Sequence, residues 1–273
     1  MVWSIVHVLS SYGVGGQARV ALDLAIGQRA RGHDVSVILL ARPLDGQIAA
    51  ELAAAGIPAT REPRRGGLEP ALVHRLATVL RARGADAGHT HNPLPLIDGA
   101  PAARLAVATV IHTKHGVNPG SRAHRLLRRT AAQLTHAFIA VSATTEAQAR
   151  THHDAPVSRL HTIPHGIRLE RYAPDPDARA SMRVELGLGD AWVVGNLGRL
   201  DPAKNQAMLV RALAPLPSRL RLVDGVAVRD PVPGQLAVVR ISLGAADLPR
   251  AGRRVGLGDS HPRAHVPRPT RRG

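Results

Sequence analysis

The stretch WSIVHVLSSYGVGGQARVALDLAIGQRARGHDVSVILL (residues 3–40) places an apolar run, a glycine loop, a longer periodic segment and a second apolar run in order. The apolar run at 3–9 predicts a buried strand, and DVSVILL (34–40) predicts the next one. Between them, apolar residues recur at helical spacing: Ala18, Ala21, Leu22, Ala25 and Ile26. We therefore expect a helix from about Gly16 to Arg31, ended by Gly32, and a β-α-β unit whose strands are parallel.

The same alternation continues along the first 165 residues. Further strands are predicted at 88–92, 108–116 and 137–142, and helices near 46–55 and 69–83. This pattern predicts an α/β fold with a doubly wound parallel sheet, a Rossmann-like domain over residues 1–165. Ligands of such sheets bind at the carboxyl ends of the strands. The candidate site residues at those ends are Gly15, Gly16, His91, Asn92, His115, Gly116 and Ser142.

The second half of the chain repeats the pattern only in part. A linker is predicted at 166–176, followed by an incomplete second Rossmann-like domain at 177–223. In that domain Asp177 is the predicted helix cap, 192–198 and 219–223 are predicted strands, and 205–214 is a predicted helix. RLRLV (219–223) would form an unprotected sheet edge. Residues 224–273 lack sustained periodicity and are predicted to be a disordered basic tail.

Composition excludes several classes of protein. The 273 residues include no cysteine, which excludes disulfides and thiolate sites. No apolar run reaches the roughly 18 residues of a membrane-spanning helix. The N-terminus lacks the basic region of a signal peptide, so we expect a soluble cytoplasmic protein. A net charge of +16 with 2% aromatic residues suits a phosphorylated ligand or an anionic membrane better than a nucleic acid.

Two loops between a strand and a helix are candidate phosphate sites. In GVGGQ (13–17) glycines allow backbone N–H groups to approach an anion, although the stretch could equally be a tight turn. In GRLDPAKN (198–205) Arg199 and Lys204 could both bind one diphosphate. Only two of the 36 basic side chains are lysines, which favours a ligand-binding role for Lys204 over that of an ordinary exposed cation.

HTKHG (112–116) ends a strand that is predicted to be central. His115 could donate to a developing charge or accept a proton, and Lys114 could contact a phosphate or a sugar hydroxyl. The competing interpretation is a satisfied histidine in a polar crevice. HTH (89–91) would need a third ligand to bind a metal, and none stands out, so no metal site is predicted.

Two other polar stretches have plain structural interpretations. DPD (175–177) is expected to cap a helix rather than to bind a metal. SRAHRLLRRTAAQL (121–134) places Arg122, Arg125 and Arg129 on one helical face, which could contact anionic lipid. The alternative is an ordinary solvated helix face.

Several of these stretches, in this order, resemble those of the retaining family-four glycosyltransferases, which have two Rossmann-like domains. They are the Gly15-Gly16 loop, RGHDVSVI, HTHN, TKHG, AVS, VSRLHTIPHGIRLERYAP and GNLGRLDPAKNQAMLVRAL. The resemblance implies a nucleotide-sugar donor whose diphosphate contacts Arg199 and Lys204, with the glycine loop near the phosphates. It also implies that His115 lies near the transferred sugar and that the first domain binds a glycan, lipid or small-molecule acceptor. It requires no metal and no other cofactor.

The chain departs from that family after about residue 223. The family carries a Glu-x7-Glu motif in its second domain, but no glutamate follows Glu185 here, and VDGV (223–226) stands in place of a glycine-rich turn. We therefore expect a truncated or frame-shifted enzyme with impaired activity. Besides a transferase, a non-catalytic domain that binds an anionic acceptor or the inner membrane face stays open. A nucleic-acid-binding protein is disfavoured.

Overall fold

The computed structural model describes residues 1–10, 16–41, 47–116, 120–166, 169, 173–198, 205–213, 220–226, 237–241 and 254–255. The chain divides into two compact units, residues 1–173 and 174–273. None of the helices within these described ranges has the length and apolar character to span a membrane.

The first unit contains a seven-stranded sheet in which every pairing is parallel. Its strands run in the order β3-β2-β1-β4-β5-β6-β7. Their bounds are β1 Ser4–Leu9, β2 Asp34–Leu39, β3 Ala59–Arg61, β4 Ala87–His91, β5 Thr109–Lys114, β6 Ala137–Ala140 and β7 Leu160–Thr162. The order reverses between β1 and β4, so the predicted doubly wound sheet is confirmed, and its ligand crevice is expected beside these two strands.

Six helices connect the described strands of this sheet. They are α1 Gly16–Ala30, α2 Gln47–Ala54, α3 Pro70–Ala82, α4 Pro93–Leu105, α5 Arg122–Ala132 and α6 Ala143–Thr151. The predicted α1 is confirmed, and its buried residues are Ala18, Ala21, Leu22 and Ala25. The sequence did not predict α4, which contains Pro101 inside the helix and buries eight residues. Its burial between other elements outweighs the helix-breaking tendency of proline.

The core of the first unit has two apolar clusters. One includes Leu72, Leu76 and Phe138, and the other includes Leu22 and Leu52. Each cluster contains side chains from both strands and helices, as expected for a sheet covered by helices on both faces. The packed strands hold the polar residues at their carboxyl ends in fixed positions.

The second unit contains α7 Pro176–Glu185, β8 Trp192–Gly198, α8 Gln206–Leu213, β9 Leu220–Val226, β10 Ala237–Ile241 and β11 Arg254–Val255. Its sheet has the order β11-β10-β9-β8, with β8 and β9 parallel and the other pairs antiparallel. The cap of α7 is Asp175, whose Oδ1 accepts from the N–H of Ala178 at 2.8 Å, and not the predicted Asp177. Asp177 lies within the first turn instead.

One prediction about the C-terminal part was wrong. The strand predicted to end at Val223 continues to Val226, and it is not an edge because β10 pairs with it from Ala237 to Ile241. In the stretch 224–273, predicted to be a disordered tail, the described residues include β10 and β11, and for the residues outside the described ranges the prediction stays a prediction. The physical reason is that backbone groups along β9 can pair with any extended neighbour, and a five-residue run such as AVVRI is too short for its periodicity to be recognised.

Candidate functional site

A cleft of about 380 Å³ opens at the carboxyl ends of the strands in the first unit. The first turn of α1, the β4–α4 turn, the segment after β5 and the segment after β7 each contribute to its wall. The lining residues are Gly16, Gln17, Val20, Asn92, His115, Gly116 and His165. The cleft therefore lies where the topology of the sheet predicts ligand binding.

Asn92 has an unusual backbone conformation at the centre of this cleft. Its φ is 69° and its ψ is 174°, a region that side chains other than glycine rarely adopt. Its side-chain amide donates to Oε1 of Gln17, and its Oδ1 accepts from the N–H of His115 at 3.4 Å. Its own N–H donates to the carbonyl of Thr113 at 3.1 Å. These contacts hold a strained residue in place, and such strain is frequent at ligand sites.

A chain of hydrogen-bonded imidazoles runs from the cleft into the protein interior. Nδ1 of His115 lies 3.2 Å from Nε2 of His165, and Nε2 of His115 lies 3.0 Å from Nδ1 of His91. Nε2 of His91 lies 3.0 Å from Nδ1 of His7, and Nε2 of His7 lies 2.7 Å from Oε1 of Gln28. The exposed end of the chain is His165, whereas His91 and His7 are fully buried.

The direction of these hydrogen bonds follows from the buried end. A carbonyl oxygen only accepts, so Nε2 of His7 carries a hydrogen that it donates to Gln28. Nδ1 of neutral His7 then accepts from His91, Nδ1 of His91 accepts from His115, and Nδ1 of His115 accepts from His165. The arrangement assigns the same tautomer, with hydrogen on Nε2, to each ring.

Burial keeps these rings neutral near pH 7. Desolvation lowers the pKa of His7 to about 4, partly offset by the hydrogen bond to Gln28. Desolvation, with a smaller contribution from His165, lowers the pKa of His115 to about 4. The pKa of His91 is lowered well below its ordinary value by the same burial and by neighbouring histidines. His115 can therefore act as a neutral hydrogen-bonding group but not as a resident cation, and its low pKa makes it a weak proton acceptor.

The cleft combines these groups with a helix N-terminus. α1 begins at Gly16, whose added Cβ would meet no atom within 4 Å, so the backbone there is accessible to a ligand. The N-terminus of a 15-residue helix carries partial positive charge, and its first N–H groups have no partner within the helix itself. The arrangement can therefore hold an anionic or hydroxyl-rich ligand between the first turn of α1 and the ring of His115.

Several predicted site residues lie elsewhere. Lys114 does not line this cleft: it is buried on the face of the sheet that also carries His112, and its Nζ forms an ion pair with Asp154. Ser142 caps α6, where its Oγ accepts from the N–H of Thr145 at 3.1 Å. His91 lies beneath the cleft and contacts His115. Successive side chains along a strand point to opposite faces of the sheet, so Lys114 and its neighbours in sequence lie on different faces.

Gly15, Arg199 and Lys204 lie outside the described residues. The predicted diphosphate contacts therefore stay predictions.

Sequence reasoning missed three residues that the structure brings together. Gln17 ends the GVGGQ stretch, His7 lies inside the first strand, and His165 immediately precedes the predicted linker. A histidine inside an apolar strand is a usable signal, because burying a titratable ring requires polar partners. His7 also supplies what the HTH stretch lacked: His7, His89 and His91 offer ligand atoms within 4.8 Å of one another.

Comparison with known protein sequences gives one family and several relatives. The model for Glycosyltransferase Family 4 matches residues 14–171, more than half of the chain. A GDP-mannose-dependent alpha-(1-6)-phosphatidylinositol monomannoside mannosyltransferase of Mycolicibacterium smegmatis is 52% identical over 65 residues, which cover 24% of this chain and 17% of the relative. The protein of the same name from Mycobacterium tuberculosis is 38% identical over 141 residues, which cover 50% and 35%.

Solved structures share the fold. The Anabaena protein Alr3699/HepE, in complex with UDP and glucose, has a TM-score of 0.71 at 23% identity, and the match covers 81% of this chain and 60% of that protein. A glycosyltransferase from Rickettsia africae has a TM-score of 0.65 at 17% identity, covering 79% and 57%. The chain thus spans about a third or less of the curated relatives it matches and about three fifths of these structures.

Proposed function

Because this chain belongs to glycosyltransferase family 4, we propose that it acts on a nucleotide-diphosphate sugar and a glycolipid acceptor, moving the sugar to an acceptor hydroxyl with retention of configuration. The observation that carries the proposal is the cleft in which the N-terminus of α1, strained Asn92 and neutral His115 meet. A glycosyl acceptor presents hydroxyls, and a donor presents phosphates. Both kinds of group match what lines this cleft.

The proposed binding of the donor depends on positively charged side chains. Arg199 and Lys204 bind the diphosphate of the donor, and the backbone at Gly15 and Gly16 approaches the same phosphates. As the sugar leaves, negative charge develops on the diphosphate, and fixed cations and N–H groups stabilise it. These groups make a metal ion unnecessary for the transfer itself. The two mycobacterial relatives are named as GDP-mannose-dependent, which favours a GDP-mannose donor here.

The proposed binding of the acceptor depends on the ring of His115. Its ring is neutral and half-buried, with one nitrogen bonded to His91 and the other facing His165. We propose that a hydroxyl of the transferred sugar or of the acceptor replaces His165 as the donor to Nδ1 of His115. The names of the relatives specify a phosphatidylinositol mannoside, so a mannosylated inositol lipid is the acceptor class to test first.

The second unit limits the expected rate. No glutamate follows Glu185, whereas the family uses two glutamates to contact the donor. We therefore propose that the 273-residue chain binds acceptor well and turns over donor slowly.

The test measures donor binding and acceptor binding in separate experiments. Calorimetry with GDP-mannose, UDP-glucose and ADP-glucose reports donor binding and its base preference. Binding of a water-soluble phosphatidylinositol mannoside analogue reports the acceptor site, and His115→Ala should weaken it at least tenfold. His161→Ala, which changes an exposed histidine that does not line the cleft, is the matched control and should leave binding unchanged.

Either of two results contradicts this proposal. Equal effects of the two histidine variants on acceptor binding would remove the cleft from the function. Rapid turnover of a nucleotide-sugar by the 273-residue chain would contradict the proposed impairment while supporting the activity.

A second candidate function concerns the surface of α5. Arg122 and Arg125 are exposed, and Leu126 between the basic residues is 65% exposed. Arginine side chains with an exposed leucine suit the headgroup region of an anionic bilayer. We propose that this helix holds the protein at a membrane surface, either to reach its lipid acceptor or as the whole function of a non-catalytic domain.

Vesicle flotation distinguishes these possibilities. Binding to vesicles with 30% anionic lipid should fall when salt rises and when Arg122 and Arg125 are both changed to glutamate. Arg29→Glu together with Arg31→Glu, two exposed arginines in the last turn of α1 and immediately after it, is the charge-matched control. Equal losses in both double variants would show a net-charge effect rather than a binding surface. Membrane binding without any donor binding would favour the non-catalytic alternative.

A further inference from the structure

Three histidines from two adjacent strands form one cluster beneath the cleft. His7 of β1 pairs in register with His89 of β4, and His91 lies two residues further along β4. Side chains two residues apart on a strand share a face, so all three rings lie on the same side of the sheet. The ring centroids are 5.0 Å apart for His7 and His89, 5.3 Å for His7 and His91, and 4.3 Å for His89 and His91.

One nitrogen of each ring has a hydrogen-bond partner outside the three histidines. Nε2 of His7 contacts Gln28 at 2.7 Å, Nε2 of His89 contacts Oγ1 of Thr113 at 2.8 Å, and Nδ1 of His91 contacts His115 at 3.0 Å. Histidines that bind metals use their second nitrogen in this way, since the hydrogen bond fixes the tautomer and the ring orientation. The remaining nitrogens are Nδ1 of His7, Nδ1 of His89 and Nε2 of His91. Each of the three residues offers one ring nitrogen that lies within 4.8 Å of the ligand nitrogens of the other two.

We propose that His7, His89 and His91 form a tri-histidine site for a divalent transition-metal ion such as Zn²⁺. Imidazole nitrogens suit zinc, cobalt, nickel and copper, whereas magnesium and calcium prefer oxygen ligands, which the trio does not offer. The three side chains are between 0 and 4% exposed, so neighbouring packing holds them in position. Such sites take an exogenous fourth ligand, for example water.

One pair of ligand atoms needs little adjustment. Two nitrogens that hold zinc at about 2.0–2.1 Å with a tetrahedral angle are separated by about 3.4 Å. Nδ1 of His7 and Nε2 of His91 are 3.0 Å apart, so a widening of about 0.4 Å admits the ion. The metal replaces the hydrogen bond that joins these two rings.

Metal binding has a consequence at the cleft. An ion on Nε2 of His91 moves the hydrogen of that ring to Nδ1, which then donates to Nε2 of His115. His115 in turn carries its hydrogen on Nδ1 and donates to His165. His165 then accepts at Nε2 and carries its own hydrogen on Nδ1. Each of the three rings keeps one hydrogen and stays neutral, but His91, His115 and His165 all change from the Nε2–H to the Nδ1–H tautomer. Binding of the interior ion thereby determines which ring nitrogen of His115 donates a hydrogen bond and which accepts one.

The experiment uses the full chain without an affinity tag, stripped of metal by a chelator and then titrated with Co²⁺ and Zn²⁺ both after folding and during refolding. We expect one tight equivalent and the visible absorption of four-coordinate cobalt. His91→Gln should weaken it at least tenfold. The controls are His112→Gln, a buried histidine on the opposite face of the sheet, and His161→Gln on the surface; both should retain the tight equivalent.

Two further measurements keep the test decisive if His91→Gln does not fold. Thr113→Val removes only the partner of His89 and should weaken binding about 10- to 100-fold. In the unsubstituted protein, two-bond ¹H–¹⁵N spectra of labelled histidines should show His91 and His115 change from the Nε2–H to the Nδ1–H tautomer on metal addition. Absence of a tight equivalent, or unchanged tautomers at saturating metal, would overturn the proposal.

Discussion

His115 is held by two separate parts of the chain, the residues at the end of β4 and the segment after β7. Its N–H donates to Oδ1 of Asn92, and its ring nitrogens face His91 and His165. His165 is 50 residues away in sequence and His91 is 24 residues away. The position and tautomer of this ring are therefore properties of the folded unit, since no neighbour in sequence supplies these contacts.

Substitutions at Asn92 separate backbone strain from side-chain function. Asn92→Gly relieves the conformation at φ 69°, so we expect stability within about 1 kcal/mol of the unsubstituted protein. Asn92→Ala keeps the strain and loses the contacts to Gln17 and His115, so we expect a loss of about 1–3 kcal/mol. Urea unfolding measures both. Acceptor binding should fall in both variants, and normal binding by Asn92→Gly would show that the amide has only a structural role.

The buried histidines predict acid sensitivity. Burial lowers the pKa of His112 to about 3 and that of His7 to about 4, whereas an unfolded histidine titrates near 6.5. Their contribution to stability is complete above pH 6.5 and is lost as the pH falls toward these folded values, because only the unfolded chain then binds protons. At pH 5 each such histidine lowers the free energy of unfolding by about 2 kcal/mol.

Urea titrations at pH 7.5 and pH 5 check this prediction. The signal is the fluorescence of Trp3 in a Trp192→Phe background, so that the first unit alone is followed. His112→Gln should show a shallower dependence on pH than its parent. An identical dependence in the two proteins would assign the acid sensitivity to other groups.

At the scale of elements, α4 packs unusually close to the strands beneath it. A Cβ added at Gly99 of α4 would lie 2.8 Å from Cγ2 of Thr90, and one added at Gly88 of β4 would lie 2.9 Å from Cβ of Ala103. The two glycines thus allow helix and strand to approach each other. This contact holds the β4–α4 turn, with Asn92, at the edge of the cleft.

Gly99→Ala tests this close approach. The added methyl group forces the helix away from Thr90, and we expect a net loss of about 1–2 kcal/mol after the better helix propensity of alanine is included. Gly27→Ala in α1 is the matched control, because its Cβ would meet only the Arg31 side chain at 3.6 Å. That variant should be as stable as the unsubstituted protein or slightly more stable. Similar losses in both variants would contradict the packing argument.

At the scale of the whole molecule, the two units differ in the apolar side chains that their described residues bury. The first unit contains both large apolar clusters. In the second unit, the buried apolar residues among those whose burial is described are Leu186, Leu188 and Leu213. A small core offsets less chain entropy, so the second unit should open more readily than the first.

Hydrogen exchange measures this difference directly. Amides of β1, β4 and β5 should exchange only through global unfolding of the first unit, because these strands are central in its sheet. Amides of β8 and β9 should exchange at least a hundredfold faster. Equally strong protection from residue 192 to residue 226 would show that the four-stranded sheet has a more stable core than its buried leucines indicate.

The sequence by itself determined the doubly wound sheet, the bounds of α1 and most central strands, and the family, because apolar periodicity and ordered local motifs survive without tertiary information. It also indicated Asn92 and His115, since the ends of parallel strands meet at one edge. Only the tertiary structure decided that Lys114 pairs with Asp154 and that His7 and His165 join His91 and His115. Those contacts depend on strand register and on which face each side chain occupies, and a change of one residue in register reverses the face.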